Sequence, residues 1–200
     1  MKVTGLALTN IKRHIGTVQF DPMADGVLLL LGRNGRGKST VPQALSLAVF
    51  GTRPMAFRGS SGDSLVGFVN RQCSEGEIRA VVEFPAKQQT LTFVVKLDVK
   101  TNKHGEFSNT CRHSVYEGAQ ALTGELPRAE AKEYNITAKA LRQFIKQELR
   151  LPLAADQLCD NLLSPPQSGG LTSYFSLTAS DRKTRTEEML GLHPIRRVVA

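Results

Sequence analysis

Gly32-Arg33-Asn34-Gly35-Arg36-Gly37-Lys38-Ser39-Thr40 fits the pattern G-x-x-x-x-G-K-[ST], a loop in which successive backbone N–H groups curl around an anion. Its flanks supply the setting such a loop requires. Val27-Leu28-Leu29-Leu30-Leu31, just before it, is a short apolar run of the kind that forms a strand buried on both faces of a parallel sheet. Just after it, Ala44, Leu45, Leu47, Ala48, Val49 and Phe50 predict an apolar helix, with Gly51 placed to end it. Strand, glycine-rich loop and helix together specify a phosphate site at a helix N-terminus, where aligned peptide dipoles add positive charge. Pro42 is the irregular residue. In a helix starting near Gly37 it would lack a donor and crowd the carbonyl of residue 38, at roughly 3 kcal/mol in a regular helix interior. A locally distorted first turn is expected.

The residue types dictate the ligands. Lys38 is expected to reach the β- and γ-phosphates of ATP, and the hydroxyl of Ser39 to ligate Mg²⁺. Asn34, Gly35, Arg36, Gly37 and Thr40 complete the expected nucleotide-binding loop.

Composition narrows the class. Two hundred residues allow one domain of ordinary size or one lobe of a larger assembly. A formal net charge of +8 points to an anionic partner, nucleic acid first, or to a basic solvated surface. Cys73, Cys111 and Cys159 are odd in number and far apart, so neither a disulfide framework nor a zinc site is supported. Cys111-x-His113 reads as two neighbouring strand residues rather than two metal ligands. The first ten residues do not read as a signal peptide, and no apolar stretch approaches the ~20 residues that span a bilayer. A cytoplasmic chain without a membrane partner is expected.

Along the chain, Val3 to Leu8 and Thr17 to Phe20 read as strands joined by the polar turn Asn10-Ile11-Lys12-Arg13-His14. Arg53 to Asp63 reads as a flexible connection. Alternation at Ile78, Ala80, Val82 and Phe84, then Leu91 to Leu97 and Asn109 to Tyr116, predicts antiparallel hairpins, with Lys100 to Gly105 as a loop. Thr137 caps a predicted helix through Leu141, Phe144, Ile145 and Leu149 that ends by Pro152. Its other face carries Lys139, Arg142, Lys146 and Arg150, of which the last three are candidate DNA contacts. Ser164 to Gly170 is turn-rich, and Ser180-Asp181 is placed to cap a last helix through Leu190.

In this order the landmarks resemble the N-terminal ATPase lobe of the SbcC-type DNA-repair ATPases, relatives of the SMC proteins, from Met1 to about Leu192. Four segments carry the resemblance: the opening strand with Asn10 to His14, the phosphate loop with its helix ending Ala48-Val49-Phe50-Gly51, Glu77 to Phe84, and Leu162-Leu163-Ser164-Pro165-Pro166-Gln167 followed by Tyr174-Phe175 and Asp181-Arg182 to Leu190-Gly191. The long interval from Lys38 to Gln167 favours the DNA-repair branch, since transporter-type ABC ATPases have a much shorter one. Ser168-Gly169-Gly170 looks like a signature motif, but no Walker B strand follows it, so it reads as a loop.

The resemblance implies an α/β fold, the ABC/SMC-like N-terminal lobe of a P-loop NTPase, with a mixed sheet, an antiparallel β-subdomain and a C-terminal helical part. Its divisions would be 1–52 (first strands, phosphate loop and helix), 53–135 (β-rich), 136–192 (helices and Q-loop) and 193–200 (a stub toward a coiled coil). Lys12 and Arg13 would lie in the nucleotide-side turn. Gln167 would be the Q-loop glutamine, touching Mg²⁺ and the attacking water, and so catalytic together with Lys38. The implied partners are DNA, an SbcD-type nuclease, the C-terminal half of the same ATPase and a second copy in an ATP-bound homodimer. No Walker B acid or convincing signature is found before Ala200, so a fragment or split half is expected, with ATP hydrolysis only once completed. Two alternatives stand beside it: a non-hydrolytic nucleotide switch, and an SMC-like chromosome or phage-defence ATPase without a nuclease.

Overall fold

The structure, a computed structural model, describes residues 1–20, 30–54, 57, 65, 67–101, 107–149, 159 and 178–189. Among these, six strands form one sheet in the order β2-β1-β3-β4-β5-β6. They are β1 (Lys2–Thr9), β2 (Thr17–Phe20), β3 (Glu75–Phe84), β4 (Gln89–Thr101), β5 (Phe107–Glu117) and β6 (Ala131–Ile136). Every described pairing is antiparallel. The parallel strand expected at 27–31 falls mostly outside the described residues. Leu30 and Leu31 are not in a strand, and Leu31 is 82% exposed, so that end of the run is not a buried strand terminus.

Alternation along β3 and β4 sets the two faces. Ile78, Ala80 and Val82 face the same side as their partners Val95, Phe93 and Leu91, and all six are buried. Leu6 and Leu8 of β1 and Val115 of β5 extend this apolar face. Helix α1 (Thr40–Phe50) packs against β3, β4 and α2 (Ala138–Leu149) and is buried along nearly its whole length. Leu141 and Ile145 are the buried anchors of α2 in the same core. Each such side chain contributes about 1.5–3 kcal/mol through removal from water. On the other face Leu122 packs against Ala7 and Val81. Arg79, itself buried, holds that connection by donating to the carbonyls of Ala121 and Gly124 while pairing with Glu77 at 2.6 Å.

One strand was not anticipated, and two local expectations need revision. Strand β6 runs through a segment with no clean alternation, and its place at the sheet edge against β5 explains that. Helix α1 begins at Thr40 rather than near Gly37. The last described helix, α3 (Ala179–Met189), is capped by Thr178 instead of Ser180-Asp181. The Thr178 hydroxyl accepts from the Asp181 N–H at 3.2 Å and donates to the Asp181 carboxylate at 2.7 Å. At α2, by contrast, Thr137 caps as expected, accepting from the Ala140 N–H at 3.3 Å.

Candidate functional site

The late start of α1 resolves the problem posed by Pro42. Thr40 N–H donates to Gly37 O at 2.9 Å and Val41 N–H to Lys38 O at 3.3 Å, a tightened turn of the 3₁₀ kind. Val41 thus supplies the donor that Pro42 cannot give to Lys38 O. Pro42 then falls at the third helical position, within the turn whose N–H groups have no intrahelical acceptor.

This arrangement has a consequence for Ser39. An N-cap serine normally turns its hydroxyl to accept from the second or third helical N–H. Here the third position is proline, the Val41 N–H is used by Lys38 O, and Ser39 lies at φ −70°, ψ −9° with no side-chain cap bond. Its exposed hydroxyl is therefore not consumed by capping and fits a cation ligand at the loop-to-helix junction.

Lys38 lies inside the loop. Its ammonium donates to the carbonyls of Gly32 at 2.5 Å and Arg33 at 3.0 Å, which holds the charge within the loop's curve. Gly37 has φ +89°, and a Cβ there would sit 2.7 Å from His14 Nε2. The imidazole of His14 is thus packed on the loop backbone, and its Nε2 is buried without a hydrogen-bond partner. Arg13 approaches from the same turn, its guanidinium 3.4 Å from where a Gly35 Cβ would be. With Arg33, Asn34 and Arg36 it lines a hollow of about 650 Å³.

Lys12 points elsewhere. Its ammonium donates to Gln43 Oε1 at 2.7 Å and sits 5.2 Å above the Phe68 ring. Gln43 in turn donates to the Ser39 carbonyl at 2.9 Å, so Lys12 braces the helix start from behind. Burial, and next the Arg53 charge, lower the Lys12 pKa from its ordinary value. The turn carrying Lys12 to His14 is stitched to 68–70: Lys12 N–H donates to Phe68 O, Asn70 N–H to Asn10 O, and Asn70 Nδ2 to Lys12 O at 2.6 Å. The buried Ile11 adds a bridge to Val69.

The structure thus brings Arg13 onto the loop formed by Asn34, Gly35, Arg36, Gly37, Lys38 and Ser39, with Lys12 behind it, whereas Thr40 is buried at the start of α1. Gln167 and Arg150 lie outside the described residues. Arg142 is half-buried beside His113 rather than on an open face, whereas Lys139 and Lys146 are exposed. His14 and Gln43 escaped the sequence reading as site residues. His14 belonged to the basic turn already singled out, but nothing local shows that its ring meets Gly37. Gln43 carried no signal beyond its place in an otherwise apolar run. On β5, Cys111 Sγ and His113 Nε2 are 3.4 Å apart, and no group of three metal-ligating side chains occurs among the described residues.

Comparison with known proteins bears on the fold. An AAA domain family model matches residues 6–190. A DNA double-strand break repair Rad50 ATPase of Methanopyrus kandleri is 27% identical over 187 residues, 92% of this chain but only 18% of that protein. A solved structure from work on ATP-driven dimerization and DNA-stimulated activation of SMC ATPases superposes with a TM-score of 0.53 at 15% identity, covering 94% of this chain and 98% of that one. The chain belongs to this AAA domain family, and its fold is similar to that of the SMC and Rad50 ATPases.

Proposed function

We propose that this lobe binds ATP with Mg²⁺ and, joined to the C-terminal half of the same ATPase, hydrolyses it as part of an SbcC-type DNA-repair machine. Closure of two copies on the nucleotide would govern DNA engagement and a partner nuclease of the SbcD type. The observation that carries the reading is the junction at Lys38 and Ser39, where an ammonium held in the loop adjoins a hydroxyl kept free of capping. Phosphoryl transfer rests mainly on positioning and charge stabilisation. Lys38 would offset charge on the terminal phosphates, the loop N–H groups would orient them, and Ser39 would hold the cation that neutralises the rest. Gln167 is proposed to orient the attacking water. Arg13 is set on the loop as a phosphate contact, and Lys12 is assigned to the same site through its brace on Gln43.

Calorimetry tests the core of this reading. Lys38→Ala should lose ATP binding, by at least tenfold to a hundredfold on the scale of about 1.5–3 kcal/mol for a hydrogen bond to a charged group. Ser39→Ala should weaken binding more with Mg²⁺ present than without it. Unchanged ATP affinity in Lys38→Ala would refute the assignment. The nuclease role is tested in the longer protein: ATP-dependent DNA end processing with an SbcD-type nuclease supports it. ATP-dependent DNA compaction without any nuclease association would place the protein among the chromosome-organising ATPases.

A further inference from the structure

The core-facing side of β5 changes character along the strand. Val115 gives way to His113 and Cys111, set opposite the apolar Val95 and Leu97 of β4. His113 is only 1% exposed, and its Nδ1 is buried without a hydrogen-bond partner. The other ring nitrogen, Nε2, lies 3.4 Å from Cys111 Sγ, which is the one hydrogen-bonding partner of the imidazole among the described residues. Buried N–H groups without an acceptor are rarer than buried acceptors without a donor. The imidazole proton therefore belongs on Nε2, directed at the sulfur. Desolvation by burial, and next the charge of Arg142 on α2, lower the His113 pKa to about 4 and keep the ring neutral.

Cys111 is placed differently from the other two cysteines. It is partly exposed, with an imidazole N–H on its sulfur and the Arg142 guanidinium beside that imidazole. Cys73 is also partly exposed, yet no side-chain donor reaches its sulfur among the described residues. Cys159 is buried, its thiol directed at the Thr52 carbonyl at 3.7 Å. An N–H donor and a neighbouring cation favour the thiolate over the thiol, because both attract the anion and neither can accept the S–H proton. We propose that Cys111 is a peroxide-reactive thiol, oxidised to sulfenic acid by a hydroperoxide while His113 holds its sulfur as the anion. The sulfur attacks one peroxide oxygen, and the S–O bond forms as the O–O bond breaks. The departing hydroxide or alkoxide takes a proton from solvent, replacing the one the thiol released. Sulfur gives up two electrons and the peroxide accepts them. The site shares no residue with the phosphate loop and does not rest on the nucleotide reading above.

The experiment treats the 200-residue chain with hydrogen peroxide at neutral pH in the presence of a diketone probe that traps sulfenic acids, and follows each cysteine peptide by mass spectrometry. An ordinary thiol is only a few per cent thiolate under these conditions, so a cysteine held as the anion should be trapped about tenfold faster. Cys111 should lead Cys73 and Cys159 by that margin, and the three rates should converge in urea. His113→Leu should remove most of the advantage, whereas His113→Gln, which keeps an N–H donor, should retain part of it. Arg142→Gln should slow trapping and Arg142→Lys should preserve it, a test on a half-buried helix position that stands even where a His113 variant fails to fold. Equal trapping of Cys111 and Cys73 in the folded chain overturns the proposal. So does an unchanged Cys111 rate in folded His113→Leu, or a lead of Cys111 that survives in urea, since exposure or local sequence would then be its cause.

Discussion

Replacing Gly37 by alanine separates two costs that the structure makes distinguishable. At φ +89° an L-residue is strained, by about 1–2 kcal/mol on the left-handed scale. The new methyl would also lie 2.7 Å from His14 Nε2 and 3.2 Å from its Cε1, so the imidazole must swing away. Moving that ring off its rotamer adds about 0.5–1.5 kcal/mol. Gly35 supplies the comparison. It lies in the same loop at φ +78°, but its nearest neighbour is the flexible Arg13 guanidinium at 3.4 Å, so only the backbone cost applies. Calorimetric ATP affinity should therefore fall by roughly tenfold in Gly35→Ala and by severalfold more in Gly37→Ala. Removing the ring should recover the difference: His14→Ala combined with Gly37→Ala should bind within about threefold of Gly35→Ala combined with His14→Ala. Equal losses in the two single variants, or no coupling between Gly37 and His14, would show that the imidazole does not rest on the loop.

Other outcomes follow from the same geometry. His113 is buried, and desolvation, with the Arg142 charge, lowers its pKa from 6.5 to about 4. Above pH 6.5 it is neutral in both folded and unfolded chains; as pH falls toward 4 the unfolded chain takes up the proton first, so stability is lost across that window. The loss reaches about 3 kcal/mol, and urea midpoints for His113→Leu should lack that part of the acid slope. Lys12→Met should cost about 1–3 kcal/mol by leaving the buried Gln43 oxygen unpaired, and Gln43→Leu in the same chain should recover part of it. Additive losses would rule out the brace. The 200-residue chain should bind ATP yet hydrolyse it near background, because positioned acidic and signature groups each supply large factors in phosphoryl transfer. Robust Lys38-dependent phosphate release by this chain would require a different catalytic acid.

The sequence alone determined what is written in neighbouring residues. The phosphate loop, the glycine stop at Gly51, the Thr137 cap and the alternating strands are legible because their causes act within a few positions: backbone freedom, a side-chain oxygen three residues from its N–H, a period of two. The start of α1 and the cap of α3 were displaced by two or three residues, since several nearby groups compete to end a helix and only the final hydrogen bonds choose among them. Tertiary structure decided the rest. Lys12 and Gln43 are 31 positions apart, and Asn70 ties to Lys12 across 58, so no local pattern announces either contact. Strand β6 owes its existence to the exposed edge of β5, and Leu31 its exposure to a backbone that is not a strand there. His14 faces Gly37 because the first hairpin turn is folded onto the loop. Charge and residue type were visible in the chain, whereas which charges share one surface depended on where the sheet brought distant turns together.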